Sequence, residues 1–310
     1  MAIKVAVIGE CMIELSESKV NIVRHFGGDT LNTAVYLARA NTELAVHYVT
    51  AMGTDAISNS MLQQWQQEGV HTDLVQRFAH KLPGLYLIET DEHGERTFHY
   101  WRSDAAARYW LQGDEAEHIC QQLHEFDYIY LSGISLAILS QADREILLQR
   151  LAECRAAGVK IAFDNNYRPR LWESREAAQQ AYHAMLTLTD LAFLTLDDEY
   201  ALWGDSQVEQ TLARTQTLGV REIVVKRGAE SCLIVQDERC NEVPAVSLAE
   251  TQVIDTTAAG DSFSAGYLAK RLANASVNDS AQWPSTGVHC YSASRRHHPF
   301  AGDASHHQCQ

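Results

Sequence analysis

Short apolar runs that stop abruptly at glycine or polar residues recur along this chain, with helix-length segments between them. Residues 3–8 (Ile-Lys-Val-Ala-Val-Ile) end at Gly9, and 126–131 end at Ser132-Gly-Ile134. Residues 159–163 end at Asp164-Asn-Asn-Tyr-Arg-Pro169, and 222–225 at Lys226-Arg-Gly228. Residues 47–51 and 191–194 complete the set. Near-continuous apolar runs of this length are the pattern of strands buried on both faces of a parallel sheet. Such a sheet needs crossover connections. Helical patterning over 56–68, 142–157, 175–188 and 208–218 supplies them. The alternation predicts an α/β fold built on a doubly wound sheet. Open sheets of this kind bind ligands beyond the carboxyl ends of their strands, where the glycine and polar clusters fall here.

Two stretches interrupt the rhythm. Residues 10–26 mix alternating apolar residues with charge and read as a less buried ribbon. Residues 85–90 and 95–101, joined by Asp91-Glu-His-Gly94, read as a β-hairpin rich in aromatics, with Arg102 at its exit. Aromatics are costly to leave bare on an isolated ribbon, so this hairpin is expected to close over a site or to make a dimer contact.

The formal net charge of −15 argues against nucleic acid or an acidic membrane surface as a partner. An anionic substrate would need a local basic patch working against that field. No run of 18 apolar residues exists, and the chain enters its first strand directly from Met-Ala-Ile-Lys, so neither a membrane span nor a signal peptide is expected. The seven cysteines show no C-x-x-C spacing and read as reduced packing residues of a cytoplasmic protein.

The chemistry concentrates in two turns. Asp255-Thr-Thr-Ala-Ala-Gly-Asp-Ser-Phe263 leads into a segment with Ala265, Leu268, Ala269 and Leu272 at helical spacing. Small residues entering a helix leave backbone N–H groups free for an anion such as a phosphate. Asp261 in that turn suits a base that takes a proton from an attacking hydroxyl, or it is an ordinary N-cap. Gly27-Gly28-Asp29-Thr-Leu-Asn32 is the second turn, with acceptors and donors for sugar hydroxyls, or a glycine turn capped by Asp29. The chain has neither a P-loop nor a G-x-G-x-x-G fingerprint, which turns the reading away from P-loop kinases and nicotinamide-dependent dehydrogenases. The histidines near the end of the chain match no structural zinc spacing.

These two turns together resemble the signature regions of the ribokinase-like sugar kinases. Gly9-Glu-Cys-Met-Ile-Glu14, Tyr100-Trp-Arg102, Ser132-Gly-Ile134, Asn166-Tyr-Arg-Pro-Arg-Leu-Trp172 and Lys226-Arg-Gly228 are similar to the branch of that family acting on 2-keto-3-deoxygluconate. The resemblance spans about residues 3–272. It implies a ribokinase-like kinase domain over 1–272 with a small β lid from about 10–26 and 85–101. It further implies ATP-dependent phosphorylation of 2-keto-3-deoxy-D-gluconate at its terminal hydroxyl, giving 2-keto-3-deoxy-6-phosphogluconate. The alternatives are a fructokinase or other sugar kinase of this fold, and a sugar-acid-binding protein without turnover.

Carried over position by position, the resemblance makes Asp261 the catalytic base, with Ala258, Ala259 and Gly260 as the anion hole. Gly28, Asp29, Thr30, Leu31, Asn32, Tyr86, Tyr100, Arg102, Ile134 and Arg168 would bind the sugar acid. Two arginines suit a carboxylate, because a guanidinium grips it bidentately, although Arg168 also reads as a salt bridge at a strand end. Thr195, Lys226, Arg227 and Gly228 would bind ATP. Mg²⁺ would arrive with ATP, held mainly by phosphates and water. Two departures from the family stand out: Ala258 replaces a usual glycine, and Thr195-Leu-Asp-Asp-Glu199 replaces an Asn-x-x-Glu motif, leaving Asp198 or Glu199 open as the carboxylate near the metal. A homo-oligomer is expected.

The last segment departs further. Residues 273–310 contain no Leu, Ile, Met, Lys or Glu, but five of the chain's 14 histidines. Nothing there could easily cover a sheet. The tail reads as a disordered extension or as the product of an altered reading frame.

Overall fold

The computed structural model describes residues 2–17, 22–91, 96–228, 230–236, 239–244, 258–274 and 280. The chain opens with β1 (Lys4–Ile8), then leaves the main sheet for β2 (Met12–Glu17) and β3 (Ile22–Gly27). Helix α1 (Asp29–Ala40) returns it to β4 (Ala45–Gly53), followed by α2 (Ala56–Gln67), β5 (Val70–His71) and β6 (Val75–Phe78). The hairpin β7 (Leu85–Thr90) and β8 (Arg96–Trp101) joins the excursion made by β2 and β3. Regular alternation follows: α3 (Ala116–Gln122), β9 (Tyr128–Ser132), α4 (Gly133–Ala137), α5 (Gln141–Ala156), β10 (Lys160–Asp164), α6 (Arg175–Leu188), β11 (Leu191–Thr195), α7 (Leu196–Trp203), α8 (Val208–Thr217) and β12 (Glu222–Lys226). Strands β13 (Cys232–Gln236) and β14 (Arg239–Val243) precede α9 (Ala259–Leu272).

The main sheet has the order β14-β13-β12-β11-β10-β9-β1-β4-β5, with β6 also on β4. From β12 through β4 every pair is parallel; β13 alone runs against the rest, pairing antiparallel with β12 on one side and β14 on the other. Strand order reverses at β1, which lies between β4 and β9, so the crevice beyond its carboxyl end is the binding position expected of an open sheet.

The burial pattern explains why the strands read as unbroken apolar runs. Along β1, Val5 and Val7 join one apolar cluster, whereas Ala6 and Ile8 join another. Ile129 and Leu131 alternate with Tyr130 in the same way, and Ile161 and Phe163 with Ala162. Each side chain meets a helix layer whichever way it points. Leu31 of α1 and Leu268 of α9 build one layer, Leu147 of α5 and Tyr182 of α6 the other.

The smaller sheet has the order β3-β2-β7-β8. In register, Tyr100 faces Tyr86, which faces Glu14, so these three share one face; Trp101, Leu85, Ile13 and Phe26 share the other. The sequence reading anticipated this ribbon-plus-hairpin sheet. The elements β5, β6, β13, β14, α3, α4 and α7 are not expected from the sequence; they are short or, like the Arg-Cys-Asn-Glu of β14, carry no apolar alternation. Among the described residues no helix is long and apolar enough to cross a membrane. The expectations for Asp255 and for the tail fall outside the described residues, apart from Ala273, Asn274 and Ser280.

Candidate active site

Helix α9 begins beside α1, and its N-cap is Ala258. Asp261 therefore lies within the first turn and is not the cap residue that the simpler reading made it. Its Oδ2 instead accepts a hydrogen bond of 2.8 Å from Asn32 Nδ2 on α1. The N–H of Ser262 bonds back to the carbonyl of Ala258 at 2.9 Å, and the amides before it precede the helical ladder. The positive end of the helix and these amides offer the chemistry that an anion needs, beside a carboxylate.

That carboxylate sits in a charged neighbourhood. Enclosure, then repulsion from Asp29, push the pKa of Asp261 up to about 7; Asp164 adds to the rise, while the Asn32 bond and Lys226 oppose it. Asp29 is the first residue of α1, whose N-cap is Gly28, so Asp29 does not cap the helix either. Its carboxylate accepts a 2.7 Å bond from Asn166, a residue held at φ 27° in the loop after β10. Gly28 has a packing reason of its own: a Cβ there would lie 2.2 Å from the carbonyl oxygen of Glu10. Thr30 and Leu31 are buried, Thr30 against Tyr48 at 2.9 Å and Leu31 in the core, so these two can offer a ligand only main chain.

Below the α9 turn lies a buried polar network that the sequence did not reveal. Asp164, at the end of β10, accepts from Lys226 Nζ at 2.7 Å, from Ser264 Oγ at 2.8 Å and from Tyr130 at 3.3 Å. Thr33 of α1 completes the chain by donating to the Tyr130 hydroxyl at 3.3 Å. The network ties β10, β12, α1 and α9 together directly under the candidate anion site. A Cβ on Gly260 would sit 3.7 Å from Lys226 Nζ, so this lysine lies against the small-residue turn. Arg227 points elsewhere, with Nη2 donating to Glu242 at 2.5 Å and Nε to the carbonyl of Ser231 at 2.7 Å.

The residues expected at the sugar-acid end fall into two groups. Tyr86 is buried and donates its hydroxyl to Glu14; Tyr100 is half exposed, and their rings lie 5.7 Å apart. Arg102 is ion-paired with the fully buried Glu10, whose carboxyl is held above its usual range by burial against the opposing pull of Arg102. Arg168 belongs to the other group. It is half exposed and pairs with Asp198 at 3.3 Å, the strand-end salt bridge that competed with the ligand reading. Ile134 is partly buried in the short helix α4 after β9, capped by Ser132.

The two neighbouring carboxylates of α7 separate cleanly. Glu199 is fully buried, bonded to Asn165 at 2.9 Å and to Arg214 at 2.6 Å. Asp198 accepts the Tyr167 N–H at 3.2 Å and faces Arg168; burial raises its pKa, with Arg168 opposing, and it feels Asp164 and Lys226. Asp198 therefore borders the crevice, and Glu199 braces the fold behind it. Asn165 also accepts from the Thr195 N–H at 2.9 Å, locking the loop after β10 to the turn before α7.

Comparison with known proteins fits this architecture. Residues 2–286 match the pfkB family of carbohydrate kinases. A protein of Dickeya dadantii named 2-dehydro-3-deoxygluconokinase is 61% identical over 281 residues, covering 90% of this chain and 91% of the relative. Its Escherichia coli K12 namesake is 61% identical over 285 residues, covering 91% and 92%. Among solved structures, an E. coli protein described as a ribokinase II, in complex with ATP and Mg²⁺, superposes with a TM-score of 0.81 at 21% identity, covering 94% of this chain and 93% of that one.

Proposed function

The chain belongs to the pfkB family of carbohydrate kinases, and from that premise we infer that it phosphorylates 2-keto-3-deoxy-D-gluconate on its terminal hydroxyl, using ATP. The observation that carries the chemistry is the raised Asp261 carboxylate at the N-terminus of α9, paired to Asn32. A base with a pKa of about 7 can accept an alcohol proton at neutral pH and release it afterwards. In the step we assign, the C6 hydroxyl gives its proton to Asp261 as its oxygen bonds to the γ-phosphorus of ATP. The bond from that phosphorus to the β-phosphate bridging oxygen breaks, and ADP leaves. The amides of Ala258, Ala259 and Gly260, with the α9 dipole, stabilise the charge on the transferred group.

Asn32 and Asp29 are assigned to sugar hydroxyls, and Asn166 orients Asp29. Arg102 and Arg168, with the hydroxyls of Tyr86 and Tyr100, are assigned to the carboxylate and keto end. A neutral sugar would need no such donors. Lys226, beside the α9 turn, is assigned to the nucleotide phosphates. The donor set near it fits a magnesium ion carried by ATP: Asp198 is a carboxylate at the crevice edge, and hard oxygen ligands are what this ion takes. Bound there, Mg²⁺ would offset the phosphate charge, with Asp198 holding it directly or through water. ATP as phosphate donor and the buried thiols of Cys11, Cys120 and Cys154 suit work in the reducing cytoplasm.

The test is a coupled ATP-consumption assay over a panel of sugar acids and neutral sugars. Turnover of 2-keto-3-deoxygluconate well above fructose and ribose is expected. Preference for a neutral sugar would reassign the acceptor, and binding without ATP consumption would make the chain a sugar-acid binder.

A further inference from the structure

Strand β4 runs toward the candidate active site and ends at Gly53, so His47, its third residue, lies near the opposite end of the sheet. Parallel pairing sets His47 directly beside His71 on the two-residue edge strand β5. Their rings stack with centroids 4.5 Å apart. Two residues later the chain brings Asp73 back, and its Oδ1 lies 2.8 Å from His47 Nδ1. One ligand atom from each of the three residues lies within 4.8 Å of the other two. We propose that His47, His71 and Asp73 form a zinc site.

Two imidazoles and a carboxylate, with water in the fourth position, are a donor set that suits zinc and not the hard ions that ATP brings. Two ligand atoms each about 2.0–2.1 Å from one zinc sit roughly 3.3 Å apart in a tetrahedron. The His47–Asp73 bridge at 2.8 Å needs to open by only a fraction of an ångström when its proton is exchanged for the ion. Phe126 packs edge-on against His47 at 5.1 Å and fixes that ring. His71 and Asp73 are exposed, so the His71 ring has room to turn out of the stack toward the ion. Lys4 acts on His47 from nearby, but its ammonium pairs with Glu125 at 3.6 Å. The ion would clip the shortest strand of the main sheet to β4, far from the phosphate chemistry. The cluster is not legible in the chain itself, because strand pairing alone joins positions 47 and 71.

The test is calorimetric titration of Zn²⁺ into the full-length protein without nucleotide. His71→Ala and Asp73→Asn are compared with a His297→Ala, His298→Ala double variant that removes a competing pair at the end of the chain. One equivalent bound by the parent is expected, weakened at least about tenfold in the first two variants and unchanged in the third. Zinc should also raise the melting temperature of the parent, increasingly with free ion, but not that of His71→Ala. Unaltered turnover of His71→Ala with MgATP would show that the variant is folded. The proposal is overturned by no saturable binding, by affinity indifferent to His71→Ala, or by affinity lost in the double variant.

Discussion

At the scale of single residues, the base role proposed for Asp261 demands a carboxylate strong enough to take a proton without being permanently charged. Enclosure near Asp29 and Asp164 raises its pKa to about 7, and Asn32 and Lys226 keep it from rising further. Asp261→Asn keeps the shape and an acceptor for Asn32 but removes the base. It should lose on the order of 10²–10⁴-fold in kcat while still binding the sugar acid, as turnover and ligand titration would show. Near-native turnover would dismiss Asp261 as the base. The pH dependence follows with opposite signs for activity and stability. The free enzyme needs the deprotonated form, so kcat/KM should climb with pH and level off above about 7, and a flat profile would contradict the assignment. For stability, a folded pKa raised above the unfolded value of about 3.9 favours the folded state while the group is protonated. That contribution is complete below the unfolded value and is lost as pH rises through about 7. Asp261→Asn should therefore melt above the parent at pH 8, with the gain shrinking toward pH 4. The arginines make a separate test. Losing a charge-assisted contact to a carboxylate costs roughly 1.5–3 kcal/mol, so Arg102→Ala and Arg168→Ala should raise KM for the keto acid far more than KM for ATP. Equal effects on both substrates would leave Arg168 as only the partner of Asp198 and Arg102 as only the partner of Glu10.

At the scale of elements, the adjacent residues Asp198 and Glu199 of α7 differ in burial and partners, and mutation should separate the roles proposed for them. Arg214 holds Glu199 at 2.6 Å and Asp205 at 2.6 Å, joining α7 to α8. Removing one partner of a buried pair leaves an uncompensated charge, at a cost of about 3–5 kcal/mol. Arg214→Ala should lower the melting temperature by many degrees yet leave KM for ATP nearly unchanged at temperatures where the protein is folded. Asp198→Asn should do the reverse, raising KM for MgATP with little change in melting. If Arg214→Ala altered nucleotide affinity and not stability, Glu199 would be the phosphate-side carboxylate after all. This division also marks what the sequence could disclose. Parallel strands, crossover helices and the two glycine-containing turns were legible because each is encoded by neighbours in the chain: apolar period, small residues, a following helical pattern. Asp29, Asn32 and Asp261 were legible as candidates for the same reason, and the Asn32–Asp261 bond joins two elements expected to meet at one crevice. The choice between Asp198 and Glu199 was not legible. It depends on Arg214 and Asn165, brought up by packing from elsewhere in the chain. The Lys226–Asp164–Ser264 network was hidden likewise, since three separate elements must converge before its charges are paired.

At the scale of the whole molecule, the small sheet leaves Ile22 and Trp101, which share one face, more than half exposed, a surface that fits the expected self-association. The other large-scale question is how the kinase domain is completed after α9. That helix ends at Leu272, and its apolar residues are packed into the core. Beyond it the sequence changes character: 273–310 contains no Leu or Ile, and the family match stops at 286, leaving 287–310 unmatched. An ordinary tail would follow a finished domain, whereas this string begins where the apolar pattern of the preceding sequence has just ended. We propose that a shift of reading frame within the tail, near the end of the family match, has replaced the continuation that the family carries. Reading the coding DNA tests this directly: a single-base shift should restore an amphipathic segment containing Leu and Ile. If every alternative frame is patternless, the string is the protein's own and the proposal fails. A second arm works on the protein. Exchanging everything after Leu272 for the corresponding residues of the Dickeya relative should raise the melting temperature. Each 100 Å² of apolar surface that the new segment covers contributes about 2.5 kcal/mol. The exchange should also lower KM for ATP while moving KM for the sugar acid little, because Asn32, Tyr86 and Arg102, the residues proposed for the sugar side, all precede the exchanged part. A chimera that melts and binds ATP like the parent would show that residues 273–310 already do the work of the segment they stand in for.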